Sequence, residues 1–214
     1  DIFRYEDVKE ILANDDGRFS TSPRNIEEFE EPPEDEGFLL DTMLLQDSPR
    51  HDELRNVVEE AFEPRNVREL EPRIRTLTTE LLDEALADVD GNVDIVDALA
   101  YPLPVIVIAE LLGIPREDRD QFKRWSDTII RGADRSVDPE TFLQEQRQAG
   151  QEMAAYFLSQ LENRRQTPQE NLLTTIATAS GAGGPLSRRE ALGTCMLLLI
   201  AGNITTTHLI TNAV

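Results

Sequence analysis

From Cys195 to Val214 the chain reads CMLLLIAGNITTTHLITNAV, and no other stretch narrows the possible folds so sharply. Just ahead of it, Ser187-Arg188-Arg189-Glu190 has the Ser-x-x-Glu form of a capping box, the signature of a helix start. Every residue from Met196 to Ala201 is apolar, and a helix apolar on all sides is expected to be buried on all sides. The pattern then breaks in mid-helix. Gly202 removes a side chain, Asn203 brings an amide, and Thr205-Thr206-Thr207 brings β-branched hydroxyls. Glycine and threonine are both poor interior helix residues. A buried helix that weakens itself at its centre breaks the local consistency of plain structure, and such breaks mark functional sites. The apolar run is read as too short and too soon polar to span a membrane.

Most of the remaining chain has helical periodicity. Ile2 to Tyr5 reads as the tail of a strand, and Tyr5 to Asn14 as a short helix with Val8, Ile11 and Leu12 on one face. Arg24 to Gly37 is acidic, contains Pro32-Pro33 and lacks periodicity, which makes it a long loop. Asp47-Ser48-Pro49 opens a helix that runs to about Phe62 and stops before Pro64, and Pro72 opens a longer one. Val93 to Val96 is expected as a short strand. Helices follow over Leu103 to Leu112 (closed by Gly113 and Pro115), Arg116 to about Ala133, Pro139 to Arg165 and Pro168 to Thr178. Ser180 to Pro185 is a turn into the central helix. The expectation is a mainly α fold with minor β, forming a single domain over residues 1–214.

Charge excludes several functions. Asp and Glu number 42 against 21 Lys and Arg, for a formal net charge of -21. That field repels phosphate backbones and anionic lipid, so neither nucleic acid nor a membrane surface is an expected partner. Lys9 and Lys123 are the only lysines, and a dispersed acidic surface poor in lysine suits a halophilic protein. Cys195, the single cysteine, excludes an internal disulfide and fits the reducing cytoplasm. The start at Asp1 and the stop at Val214 inside an apolar helix make both ends look cut.

Few residues carry obvious chemistry. His51 and Arg55 stand at i and i+4, on one helix face, and could grip the carboxylates of a ligand, although such a pair is also ordinary on a solvated helix. Thr205 could hold a small polar ligand or a water, or could simply bond back to its own helix. Cys195 reads as a small core residue and His208 as a polar helix position. His51, Cys195 and His208 lack zinc spacing, and neither a phosphate loop nor a Gly-x-Ser-x-Gly elbow is present.

In register along nearly the whole chain, these segments resemble a bacterial or archaeal cytochrome P450 of the soluble type. The resemblance rests on Arg4 to Val8 with Phe19-Ser20, on Asp47 to Arg55 ending in Ala61-Phe62-Glu63-Pro64-Arg65, and on Pro102-Leu103-Pro104 through Glu110 to Pro115. It continues in Phe122 and Trp125 to Asp127, and in Leu186 to Thr207. The chain would be the central portion of such a protein, from about the B helix to the I helix.

The resemblance implies a b-type haem in the complete protein, with His51 and Arg55 on its propionates and Ala201, Gly202 and Thr205 bordering the oxygen pocket. It implies proton relay by Thr205 during O2 activation, an organic substrate, and a ferredoxin-type or similar electron donor. The loop from Arg24 to Leu45 would cover the substrate and the segment from about Ile129 to Gln151 would roof it. Ile204 departs from the family, which usually has Asp or Glu there, which implies instead a water or substrate relay through Asn203. The haem-ligating cysteine lies outside this chain, and Cys195 sits in the wrong helix to replace it. Without that axial ligand, the chain by itself would be inactive. The rival readings are a non-catalytic acidic remnant or partner-binding domain, and a haem or small-ligand binder without a thiolate that uses His51 and Arg55.

Overall fold

A computed structural model describes residues 2–14, 17–32, 38–87, 92–130, 138–181 and 184–214. The capping box forms as the sequence implies. Ser187 Oγ accepts from the Glu190 backbone amide at 3.1 Å, and Glu190 Oε2 accepts from the Ser187 amide at 2.8 Å. From that cap one helix runs over Arg188–Ala213, numbered α9 in chain order.

The preceding helices are α1 (Tyr5–Ala13), α2 (Arg50–Glu59), α3 (Pro64–Glu69), α4 (Glu71–Ala87), α5 (Pro102–Leu112), α6 (Arg119–Ile130), α7 (Pro139–Gln166) and α8 (Leu172–Thr178). The strand content among the described residues is a two-residue antiparallel pair, β1 (Ser180–Gly181) with β2 (Gly184–Pro185), in register Ser180 to Pro185 and Gly181 to Gly184. The mainly α expectation holds.

The core forms where α5, α6, α7 and α8 meet α9. Phe122, Met153, Phe157, Leu112, Leu173, Ile176, Met196 and Leu199 are fully buried there. The Phe122 and Phe157 rings meet edge to face, 5.9 Å apart at 87°, the arrangement the aromatic quadrupole favours. Polar tips at the rim are satisfied: Trp125 Nε1 donates to Glu152 at 2.8 Å and Tyr156 Oη to Asp118 at 2.8 Å.

Helix ends follow local chemistry. The α7 start is capped by the Asp138 carboxylate, which accepts from the Thr141 amide with Pro139 in the first turn. Asn171 caps α8 through the Thr174 amide, which is why α8 begins at Leu172 rather than at Pro168. Gly113 closes α5 in the left-handed conformation, φ 83°, with its amide on Ala109 O and Glu110 O and the Ile114 amide on Ala109 O.

Several expectations are corrected. Val93 to Val96 forms no strand. It has no ladder to join, and Asp94 instead caps a helical turn by accepting from the Val96 amide at 2.9 Å. That turn is a π-helix, Val96–Ala100, with the Tyr101 amide bonded to Val96 O. Ile2 to Arg4 is likewise unpaired, and Pro64 begins α3 as well as ending the turn before it. The expected end of the sixth helix near Ala133 lies outside the described residues.

All-round burial of α9 holds only for its first half. Ala191 to Met196 are buried, but Leu197, Leu198 and Ile200 are half-buried and Ala201 is exposed. Beyond Met196 one stripe stays covered, Leu199, Asn203 and Thr207, at i, i+4 and i+8. By length and composition alone α9 could in fact cross a membrane, with a mean hydropathy of 1.4 over its best window. Its packing on α5, α7 and α8 is that of a core helix.

Two glycines separate backbone need from habit. A Cβ on Gly113 would lie 2.4 Å from Asn171 Nδ2, at a φ that side chains avoid, whereas a Cβ on Gly150, within α7, meets nothing within 4 Å. Gly113→Ala should lower the unfolding free energy by about 2 kcal/mol. Gly150→Ala should raise it by about 0.5–1 kcal/mol. Urea denaturation of the pair checks both signs.

Candidate functional site

The α2 helix is pinned to the core by Leu54 and Val58, both buried, at i and i+4. Pinning that face sets His51 and Arg55 on the neighbouring stripe. The N-terminal end of α2 is fixed by Arg50. Its Nε and Nη2 donate to the two carboxylate oxygens of Glu190, each at 2.6 Å, and its Nη1 donates to Glu53 at 2.5 Å. Both partners raise the guanidinium's pKa further. Upstream, the Asp47 carboxylate accepts from Ser20 Oγ at 2.5 Å and the Thr21 amide at 2.9 Å, tying that loop to the start of α2. These bonds hold the Asp47 carboxyl below its ordinary pKa.

His51 Nδ1 lies 2.8 Å from the Met43 carbonyl. A carbonyl only accepts, so Nδ1 carries the proton and Nε2 is the nitrogen left for a ligand. Arg55 has no hydrogen bond or ion pair among the described residues, in contrast to Arg50 on the same helix.

These two residues line one cavity of about 860 Å³. The opposite wall is α9, through Leu197, Leu198, Ala201 and Gly202, with Ile108 of α5 beside it. Met43 and Leu44 close one side together with Thr21, and Phe62, Glu63 and Pro64 close another. Gly202 is not demanded by packing, because an added Cβ would sit 3.6 Å from Ile108 Cδ1, an ordinary contact. Its consequence is on the cavity side, where the helix surface stays flat.

The structure thus brings together four of the residues singled out in the sequence: His51, Arg55, Ala201 and Gly202. Thr205 is not among the cavity's lining. It is exposed, and its hydroxyl donates to Ala201 O at 2.7 Å, the back-bonded arrangement. Ile204 beside it is 36% exposed. Cys195 is wholly buried in the core, away from the cavity, and burial pushes its thiol pKa well up, so it stays protonated. His208 is exposed. The end of the Arg24 to Leu45 loop reaches the cavity through Met43 and Leu44. No described residue between Ile129 and Gln151 lines it. The apolar lining residues carried no separate signal in the sequence, where they read as core.

Chemically, the cavity joins a largely apolar, flat-walled space to one uncommitted guanidinium and one imidazole. That fits a large planar apolar group with carboxylates at one edge.

No protein-family model matches the chain. It is 38% identical to Cytochrome P450 109 of Bacillus spizizenii, over 100% of this chain and 49% of that protein. It is 37% identical to the erythromycin C-12 hydroxylase of Saccharopolyspora erythraea, over 100% of this chain and 51% of that protein. Substrate-free CYP109E1 from Bacillus megaterium has the same fold with a TM-score of 0.84 at 38% identity, over 99% of this chain and 53% of that one. The chain belongs to the cytochrome P450 family. It spans about half the length of the curated relatives it matches. In this P450 portion, the two walls of the cavity come from α2 and α9, joined at their N-terminal ends by Arg50 and Glu190.

Burial works against ionising Glu190, but hydrogen bonds from Arg50 and from Ser187 win and hold its pKa below the ordinary carboxylate range. A folded pKa depressed in this way adds stability that is full above the unfolded value and is lost as pH falls through the folded one. The melting midpoint should therefore be level above about pH 5 and drop below about pH 4.3, the ordinary glutamate value. Glu190→Gln should cost about 1–2 kcal/mol at neutral pH and flatten part of that acid limb, as thermal melts across pH would record.

Proposed function

We propose that the complete protein is a haem-thiolate monooxygenase that inserts one oxygen atom from O2 into an organic substrate. The observation that carries this reading is the uncommitted Arg55, with His51, facing Ala201 and Gly202 across a single cavity. The cavity residues fit a b-type haem. Arg55 and His51 Nε2 would bind its propionates, and Ala201 and Gly202 would lie along its face. When bound, that group supplies the redox chemistry of oxygen activation, with its axial thiolate drawn from a segment outside this chain.

The chain's own residues would bind, orient and exclude. Arg55 offers a planar fork that suits a carboxylate edge. His51 must be protonated on Nε2 to donate there, because Nδ1 is committed to Met43. Leu197, Leu198, Ile108 and Phe62 would keep water from the apolar body of the ligand. For a relay role Thr205 would have to turn its hydroxyl proton away from Ala201 O, to which it now donates, and toward the cavity. Ile204 supplies no acid next to it, which leaves proton supply to water or substrate.

The substrate is proposed to be a large organic molecule, since one relative is named for hydroxylating erythromycin. Electrons would come from a ferredoxin-type or similar donor. The reading also takes the protein as cytoplasmic, one domain, and adapted to high salt. Support for the last is the net charge of -21 with two lysines only, Lys9 and Lys123.

In the full-length protein, Arg55→Ala should weaken haem binding by about ten- to a hundredfold, the loss of a charge-assisted hydrogen bond. His51→Ala should weaken it less. Haem titration followed by the Soret band reads both, and unchanged affinity in the double variant would remove the propionate assignment. Separately, a melting midpoint that fails to rise in molar KCl would remove the salt adaptation.

A further inference from the structure

Asn203 and Thr207 lie on the buried stripe of α9, the side away from Ala201, at 0% and 9% exposure. The haem reading gives Thr207 no role, and the relay position it gave Asn203 does not fit a side chain buried on the face away from the cavity. Thr207 Oγ1 lies 3.0 Å from Ala100 O, 107 residues away in sequence, and 2.8 Å from Asn203 Oδ1. A hydroxyl has one proton and cannot donate to both oxygens. Asn203 Nδ2, meanwhile, is buried with no hydrogen-bond partner. Turning the amide by half a rotation answers both difficulties, because Nδ2 then donates to Thr207 Oγ1 and frees the hydroxyl proton for Ala100 O.

The carbonyl at the end of this chain has a reason to need a donor. In regular helix the Ala100 carbonyl would be bonded by the amide of residue 104, and that residue is Pro104. Ala100 also ends the π-turn that precedes α5, a place where the backbone ladder shifts by one residue.

We infer that Asn203 and Thr207 are positioning residues for the cavity wall: Asn203 Nδ2 donates to Thr207 Oγ1, and Thr207 donates to the Ala100 carbonyl that Pro104 leaves without a helical donor. The clasp locks the rotation of α9 against α5. Gly202 is the immediate neighbour of Asn203, and Ile108 of α5 lines the cavity beside Gly202. A turn of α9 about its own axis would therefore move Ala201 and Gly202 relative to the cavity. The consequence for the ligand rests on the haem reading, whereas the clasp does not.

The test uses Thr207→Val, Thr207→Ser, Asn203→Ala and Pro104→Ala in the full-length protein. Thr207→Val should lower the melting midpoint, shift the Soret band and weaken haem uptake by about tenfold, the loss of one buried bond. Thr207→Ser should restore all three. Asn203→Ala should have a smaller effect of the same kind. Pro104→Ala returns an amide to Ala100 O, so the melting loss from Thr207→Val should be roughly halved in that background. Equal losses for the valine and serine variants, additivity with Pro104→Ala, or a Soret band unmoved by Thr207→Val would each overturn the proposal. If the wild-type protein took up no haem, only the haem reading would fall, and the melting cycle between Thr207 and Pro104 would still decide the clasp.

Discussion

The ion pair between Arg50 and Glu190 joins residues 140 apart in sequence, and the geometry of the cavity follows from it. Each partner sits in the first turn of its helix, α2 or α9. Glu190 also closes the capping box with Ser187, so one carboxylate both starts α9 and attaches it to α2. From that apex Arg55 lies about 7.5 Å along one helix and Ala201 about 16 Å along the other, at 1.5 Å per residue. The space between them is the cavity. A half-buried ion pair is weak support for stability as such, since desolvation offsets much of the attraction. Its value here is register, because it fixes which faces of two distant segments meet.

Charge sharpens the meaning of what is left unpaired. In so acidic a chain carboxylates are plentiful, and many arginines are taken by them. Arg73 and Arg119 share Glu110, and Arg24 binds Glu31 and Asp41 while Arg189 also reaches Asp41. Arg55 has Glu59 and Glu63 on the same cavity lining and pairs with neither. The net field of the chain opposes an anionic ligand. Affinity for one must then come from the local guanidinium and from apolar burial, at about 25 cal/mol per Å². A ligand with a large apolar body and a small charged edge meets that condition, and a small free dicarboxylate does not.

Much of the fold was legible because helix punctuation is local. Ser187 and Glu190, Gly113 with Pro115, and Pro139 state their roles within a few residues. The exceptions are instructive. Val93 to Val96 has the side chains of a strand, but a strand needs a neighbour to pair with, which local sequence does not reveal. Its one capping carboxylate, Asp94, was enough to start a helical turn instead. Periodicity also showed that α9 was apolar around Met196 to Ala201 without showing what would cover each face. The site was legible in a different way. His51 and Arg55 at i and i+4 point together on any helix, but only the resemblance in register along the whole chain linked them to Gly202. The apolar lining was not separable from core.

The polar break in α9 illustrates why a rule read from sequence can locate a site and still misassign its members. Gly202, Asn203, Thr205 and Thr207 break the apolar run together, and together they mark the functional stretch. On a helix each residue turns by about 100° from the last, a consequence of 3.6 residues per turn, so neighbours face different surroundings. Gly202 meets the cavity, Thr207 meets Ala100 in the π-turn ahead of α5 with Asn203 bonded to it, and Thr205 bonds back to its own helix. One face is shaped for a ligand while the opposite face carries hydroxyl and amide groups that hold the helix still. A wall that must stay flat against a rigid group needs both, since glycine supplies the flatness and weakens the helix in doing so. The hydrogen bond from Thr207 across to Ala100 lies within two turns of that weak point, where it opposes the rotation that the glycine permits.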